Sequence, residues 1–295
     1  MGASWLKPAV QQALAPKYSI ITIMEKNIGG WHQARSPKVV HASDVTKDDF
    51  CPRRFVLYDV LETEPKGEWL NTALKATFDV GNATADLFTN EWAGDAIVGN
   101  WECRSCGDMR TFCRKPPEGC TKLMPCNWRY QEVKFVSKEF WVSGSLDAIM
   151  DLMSPKLFVT ELKIINVDEF ATLAAPLAEH RIRTSLYLKI IEDSDSILKP
   201  RFNLSEAKVF YVSRGFGKKN EAAGGKILPF KEFEVKRDDG PLEPMLKKAK
   251  AIKVAREQKL IPAGICSTTN DKAAKNCELC KQCFSGKYPA QLAIS

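Results

Sequence analysis

Asp147, in Gly144-Ser145-Leu146-Asp147, and the pair in Glu161-Leu162-Lys163 are the residues whose types and spacing could do chemistry. Both segments are otherwise apolar and β-prone: VSGSLDAIMDL (142–152) reads as one strand, and LFVTELKII from Leu157 as its hairpin partner across a Ser154-Pro155-Lys156 turn. Side chains alternate along a strand, so Glu161 and Lys163 share one face while Leu162 points into apolar packing. Charged side chains are rarely buried without a partner. Two carboxylates on neighbouring strands offer hard oxygen ligands suited to Mg²⁺ or Mn²⁺. Such an ion polarises a phosphate and acidifies a water, and Lys163 would orient that water or neutralise charge building on phosphorus. A cross-strand ion pair of Lys163 with Asp147 or Glu161 accounts for the same residues without any chemistry.

The ten cysteines fall into two groups. Cys103-x-x-Cys106 is followed by Cys113, Cys120 and Cys126 in a stretch, 100–128, containing Gly, Pro and Arg. Two knuckles can close one tetrahedral ion, so this reads as a zinc-ribbon-like insert with Cys103, Cys106, Cys120 and Cys126 as ligands and Cys113 between the knuckles. A redox Cys-x-x-Cys is the alternative, but no thioredoxin-like βαβ pattern surrounds it. The second group is Cys266, Cys277, Cys280 and Cys283, set among polar residues near the C-terminus. These four alone would suffice for a second zinc site, which would leave Cys51 as a small core residue.

The elements that must position these residues are read from periodicity and breakers. Residues 1–40 form an N-terminal arm in which SIITIM is a candidate edge strand. Ser43 is a candidate N-cap for a helix carrying Phe50, Phe55, Leu57 and Leu61, with a break near Cys51 imposed by Pro52. Leu70 to Trp92 has helical spacing. YQEVKFVSKEFWVSG alternates as two strands, and Glu132 within it can enter the active face or be a solvated strand charge. A helix from Asp168 to Ile191 packs on the sheet through Phe170, Leu173, Ile182, Leu186 and Ile190. His180, Arg183 and Tyr187, spaced by three and four, share one of its faces. AKVFYVS and FKEFEVK read as strands joined by the basic loop RGFGKKNEAAGGK, which lacks Walker spacing. Pro241 to Leu260 is an amphipathic, lysine-rich helix ended by Pro262.

In its order of motifs, Gly-x-x-Asp, a turn, Glu-x-Lys, then a helix with His180, Arg183 and Tyr187, the chain resembles the PD-(D/E)XK nuclease superfamily, in its RecB-like branch, from His41 to Cys283. The resemblance implies an α/β fold: a central mixed sheet flanked by helices, with a cysteine-rich C-terminal region. It implies that Asp147 and Glu161 bind Mg²⁺ or Mn²⁺, that Leu162 lends a backbone carbonyl, and that Lys163 is catalytic. His180, Arg183 and Tyr187 would contact substrate, although the branch usually has Gln where Arg183 stands. Its upstream metal-binding His is replaced by Ala85, with Asp86 as a stand-in.

Three C-terminal cysteines with one distant cysteine in a Cys-Pro-Arg-Arg context also resemble the iron–sulfur members of that branch, including the CRISPR-associated exonucleases, and phage origin fits the same group. This implies a [4Fe–4S] cluster on Cys51, Cys266, Cys277 and Cys283, with Cys280 as a substitute ligand. The implied organisation is an arm (1–40), a nuclease core (41–265) and a cysteine-rich region (266–295) closing onto Cys51. The implied function is a metal-dependent DNA exonuclease acting on single strands or ends, with recombination or helicase proteins as partners. The alternatives are an iron–sulfur DNA-binding subunit of a recombination or CRISPR-adaptation complex, and an RNA-processing nuclease.

Length and charge set wider bounds. A chain of 295 residues can bury a sizeable core. Its formal net charge of +7 favours a polyanionic partner. No stretch approaches a membrane span, and the N-terminus has no secretory pattern, so the expected location is the cytoplasm, or the host cytoplasm for a phage-encoded protein. Reduced thiols there favour metal binding over disulfides.

Overall fold

The computed structural model describes residues 34–116, 126–215 and 228–293, with isolated positions between 20 and 32. The chain divides into two compact units, Met1–Arg35 with Pro65–Ala83, and Ser36–Glu64 with Thr84–Ser295. In the first, β1 (Gly30–His32) pairs antiparallel with β3 (Glu68–Leu70). The described residues of SIITIM (Ile20, Ile23 and Met24) are helical, where an edge strand is expected from sequence.

The second unit is a mixed α/β fold. Its main sheet contains β4 (Ile97–Cys103), β5 (Met109–Arg114), β6 (Trp128–Gln131), β9 (Ala148–Met150), β10 (Phe158–Ile165), β11 (Glu206–Ser213) and β12 (Phe230–Lys236). The order is β12-β11-β10-β9-β4-β5, with β6 also on β4. Only β10 and β11 run parallel; the other pairings are antiparallel. A smaller sheet orders β2 (Val40–His41), β8 (Val142–Leu146) and β7 (Val133–Val136).

VSGSLDAIMDL is therefore not one strand. It bends at Asp147, the first half pairing in the small sheet and the second in the main sheet. Likewise YQEVKFVSKEFWVSG contributes to three strands rather than two, with a break at Glu132 between β6 and β7. Within the expected insert at 100–128, Asn100–Cys103 of β4 pair with Trp128–Gln131 of β6.

Helices supply the layers around the sheet. The parallel β10–β11 pair needs a crossover, made by α4 (Val167–Thr172) and α5 (Ala178–Asp193). Asn166 caps α4 by accepting from the Glu169 N–H at 2.8 Å. The single helix expected over Asp168–Ile191 is broken at Leu173–Leu177, because Pro176 lacks an N–H and biases Ala175 away from helical dihedrals. Near the N-terminus, α1 (Ala42–Val45) is a single turn whose N-cap is His41, not Ser43, with Asp44 accepting from the His41 N–H. The break expected near Cys51 is present: Cys51 is the N-cap of α2 (Pro52–Val60), with Pro52 in the first turn. The helical stretch expected over Leu70–Trp92 begins with β3, continues as α3 (Thr72–Leu87) and closes in a π-turn, Phe88–Trp92. Helix α6 (Glu243–Gln258) buries Leu246, Ala249 and Ile252, and ends at Lys259 in the left-handed region, φ 56°. Short helices α7 (Lys272–Lys275) and α8 (Cys280–Cys283) follow.

Two glycines mark close approaches that the site depends on. A Cβ at Gly99 on β4 would meet the Tyr130 ring at 2.2 Å, and one at Gly144 on β8 would meet Tyr187 Cδ1 at 3.0 Å and Ile190 Cδ1 at 3.2 Å. Tyr187 and Ile190 are themselves buried and cannot give way freely. Gly144→Val is thus expected to cost about 1–3 kcal/mol, read as a shift in the urea midpoint. An unchanged midpoint would show that α5 can move off β8.

Candidate functional site

The strand bend and β10 bring Asp147, Glu161 and Lys163 together. Leu162 is buried in the cluster with Ala148 and Val212, so alternation sends Glu161 and Lys163 to the face covered by α5. The Leu162 N–H donates to Asp147 Oδ2 at 3.0 Å, tying the bend to β10. Lys163 Nζ lies 2.5 Å from Glu161 Oε1 and 4.0 Å from Asp147 Oδ2, bridging the acids. Glu161 is 0 % exposed and its Oε2 has no hydrogen-bond partner among the described residues. Burial, then the charge of Asp147, pushes its carboxyl up to about 7, against the opposing pull of Lys163 and Arg183.

One face of α5 reaches three strands in turn. His180 meets Tyr211 on β11, Arg183 Nη1 donates to Glu161 Oε1 on β10 at 3.2 Å, and Tyr187 packs on Gly144 of β8. The expected shared face of His180, Arg183 and Tyr187 is therefore present, directed at the sheet. Burial works against the charge on Arg183, but Glu161 foremost among its neighbours holds the guanidinium protonated. Burial and the charges of Glu161 and Asp147 raise the Tyr187 phenol. Tyr187 is only 6 % exposed, whereas Trp141 is 41 % exposed and carries Lys253 Nζ over its ring, 5.5 Å from the centroid.

His180 is held neutral. Tyr211 OH accepts from the Leu177 N–H at 3.0 Å and shares a hydrogen bond with His180 Nδ1 at 2.7 Å, while Nε2 lies 3.2 Å from Glu179 Oε1. Burial, then the charges of Lys163 and Arg183, lowers the imidazole to about 3; the exposed Glu179 carboxylate is screened by water and does not reverse this. A depressed folded value means that the unfolded chain binds the extra proton, so this contribution is present above the ordinary imidazole range and lost as pH falls below it. Between pH 7 and 5 the wild type is expected to lose about 2 kcal/mol more stability than His180→Gln, measured by urea denaturation. Parallel pH profiles would mean that His180 titrates normally.

The structure places two groups of cysteines. Among the described residues, Cys103, Cys106 and Cys126 form a group whose sulfurs all lie within 4.8 Å of one another and could hold a metal ion. The knuckle is built by backbone: the Gly107 N–H donates to Cys103 O at 2.7 Å, and Gly107 takes φ +71°, which a side chain would strain. Burial opposes ionisation of Cys103, but hydrogen bonding from Cys126, Ser105 and Cys106 draws it down to about 6. Cys120 lies outside the described residues. Cys113 stands on β5 opposite Gly99.

Cys51, Cys266, Cys277, Cys280 and Cys283 line one pocket with Leu57, Leu279 and Phe284. They bring no three sulfurs within the spacing of the first group. Burial pushes the Cys266, Cys277 and Cys283 thiols up, and Cys51 adds to all three. Arg53, the first arginine of the Cys-Pro-Arg-Arg run, is 6 % exposed. Its Nε donates to Cys283 Sγ at 3.0 Å, Nη1 to Pro262 O at 3.2 Å, and Nη2 to Cys283 O at 3.2 Å and to Tyr288 O. Tyr58 OH on the same helix bonds Glu278. The basic loop expected over RGFGKKNEAAGGK lies, apart from Arg214 and Gly215, outside the described residues.

No family model matches the chain, and no curated protein matches it. Among solved structures it is similar to that of SSO0001, at 14% identity and a TM-score of 0.32, over 93% of this chain and 98% of that one. It is similar also to LHK-Exo, solved in complex with dAMP, at 10% identity and a TM-score of 0.38, over 75% of this chain and 89% of that one. Likenesses this distant leave the side chains themselves to carry any functional reading. No helix among the described residues is long and apolar enough to cross a membrane.

Proposed function

We propose that the chain is a divalent-cation-dependent nuclease of the PD-(D/E)XK kind, acting as an exonuclease on single-stranded DNA or DNA ends. The observation that carries this reading is the fully buried Glu161 carboxylate, with an unpartnered oxygen, beside Asp147 and Lys163. A buried acid raised towards neutrality is costly as an ion unless a further positive charge joins it. Asp147, Glu161 and the Leu162 carbonyl are thus fit to hold Mg²⁺ or Mn²⁺ through oxygen. Such an ion supplies Lewis-acid polarisation of a phosphodiester and a more acidic water. Lys163 stabilises charge developing on the phosphoryl oxygens, while Arg183 favours the ionised form of Glu161 and holds it in place. His180 and Tyr187 fix the position of α5 over the strands. Exposed Lys and Arg side chains take up the phosphate backbone, which makes binding salt-dependent.

The cysteines complete the reading. Cys103, Cys106 and Cys126, with Cys120, would hold structural zinc, for which convergent thiolates are the suited donors. Cys51, Cys266, Cys277 and Cys283, with Cys280 as substitute, would hold a [4Fe–4S] cluster, since thiolates spread around an apolar pocket suit a multi-iron group better than one tetrahedral ion. The bonds from Arg53 and Tyr58 to residues beyond 261 support a C-terminal region closed onto Cys51. In this reading 1–40 is an arm and 41–265 the nuclease core.

The test is cleavage of end-labelled single- and double-stranded DNA with Mg²⁺ or Mn²⁺ by anaerobically purified protein, against Asp147→Ala. Cation-dependent cleavage lost in the variant is the expected result. A second reading, a DNA-binding subunit that cuts poorly, is favoured by Ala85, where the resembled branch has a ligand, and by Asp86 being engaged by Arg129 at 3.5 Å. Salt-dependent DNA binding with no cleavage under either cation would overturn the first reading in favour of the second.

A further inference from the structure

Among the described residues, the buried Arg53 guanidinium meets no carboxylate. Its Nε–H goes to Cys283 Sγ at 3.0 Å, and its remaining bonds go to the carbonyls of Pro262, Cys283 and Tyr288. By contrast, Arg54, next in sequence, lies 3.8 Å from Asp49, and the part-buried Arg183, Arg237 and Arg256 pair with Glu161, with Glu192 and Asp239, and with Asp59. Carbonyls satisfy the N–H groups of Arg53 but do not neutralise it. A buried cation without an anion is costly.

Sulfur is the source of negative charge within its reach. Cys283 lines a pocket with Cys51, Cys266, Cys277 and Cys280, and the apolar Leu57, Ile265 and Leu279 beside them leave charges there weakly screened. Gly264 closes over the contact, for a Cβ there would stand 3.3 Å from Arg53 Cδ and 3.9 Å from Cys283 Sγ. Asp49 also lines this pocket, but its partner is Arg54. A cysteine that ligates a metal does so as the thiolate, and four thiolates suit a [4Fe–4S] cluster. Such a group is anionic, and more so when it takes up an electron.

We propose that Arg53 is the countercharge of the cluster held by these cysteines and, through its Nε–H bond to Cys283 Sγ, raises the cluster's reduction potential. Net charge and hydrogen bonds to the sulfurs are means by which a protein sets that potential. Arg53 is then a positioning residue with an electrostatic task beyond its bonds to the chain past Ile261. Its role rests on the iron–sulfur reading of Cys51, Cys266, Cys277 and Cys283 given above.

The test uses the full chain, purified and reconstituted anaerobically, with its iron and sulfide measured. Electron spin-echo modulation of the dithionite-reduced protein is expected to show a nitrogen coupling that changes when the protein is made with ¹⁵N-labelled arginine, and that persists in Arg54→Lys. In Arg53→Gln the one-electron reduction equilibrium is expected to shift about 10-fold towards the oxidised form, a fall of about 59 mV in midpoint. Spectra unaffected by the label, a label-sensitive coupling lost in Arg54→Lys, or an unchanged midpoint in Arg53→Gln would each overturn the assignment and leave the cluster reading intact. Should Arg53→Gln hold no iron, the labelled wild type decides alone. A wild type that holds no iron–sulfur cluster removes that reading and the proposal with it.

Discussion

Lys163→Ala is expected to slow cation-dependent DNA cleavage by about 100-fold or more, the loss typical when one preorganised charge is removed from a transition state. Lys163 Nζ bridges the site, 2.5 Å from Glu161 and 4.0 Å from Asp147, with 21 % of its side chain exposed. It is near enough to solvent to meet a substrate and buried enough for its charge to act in a weakened dielectric. Removing it leaves Arg183 as the counter-ion among the partners of Glu161 described above. Glu161 would then take up a proton more readily, so part of the loss should be recovered by raising pH and part should not. Single-turnover rates at saturating Mn²⁺ measured from pH 6 to 9 separate the two. Lys163→Arg is not expected to restore the rate, because a planar fork cannot occupy the position of a point charge between two carboxylates. A rate within about threefold of wild type would mean that Lys163 is a structural ion pair.

Arg53→Met is expected to cost the protein about 3 kcal/mol or more, because it leaves backbone acceptors at Pro262, Cys283 and Tyr288 without their donor. It also removes the hydrogen bond from α2 to Cys283 Sγ. The consequence should be regional. Hydrogen exchange is expected to rise over residues 261–293, while β10 and β11 stay protected. Arg53→Lys should not rescue it, since one ammonium group cannot serve acceptors lying in several directions. A loss below about 1 kcal/mol, or exchange unchanged past Ile261, would show that the C-terminal region is held by apolar packing of residues such as Leu279 instead.

Local periodicity carried much of the site. Strand alternation in Glu161-Leu162-Lys163 separates the charged pair from buried Leu162, because a period of two is a property of the extended backbone itself. Spacings of three and four place His180, Arg183 and Tyr187 on one face of α5 for the same kind of reason. Cys-x-x-Cys brings Cys103 and Cys106 together through a backbone turn, and Cys126 joins them. Where local signals competed, the weaker-looking one prevailed. The apolar spacing from Asp168 to Ile191 suggests a continuous helix, yet the single Pro176 breaks it, since a missing N–H cannot be supplied by more leucines.

From its residues alone, then, the chain determined its mixed α/β character, the face on which each charged residue of β10 and α5 lies, and the pairing of Cys103 with Cys106. Each depends on neighbours a few positions apart. Only the tertiary structure decided that the strand through Asp147 changes sheets and that Arg53 reaches across 230 positions to Cys283. Those outcomes are set by which distant strand or carbonyl satisfies each backbone and side-chain group, and a sequence read in short windows contains no record of that competition.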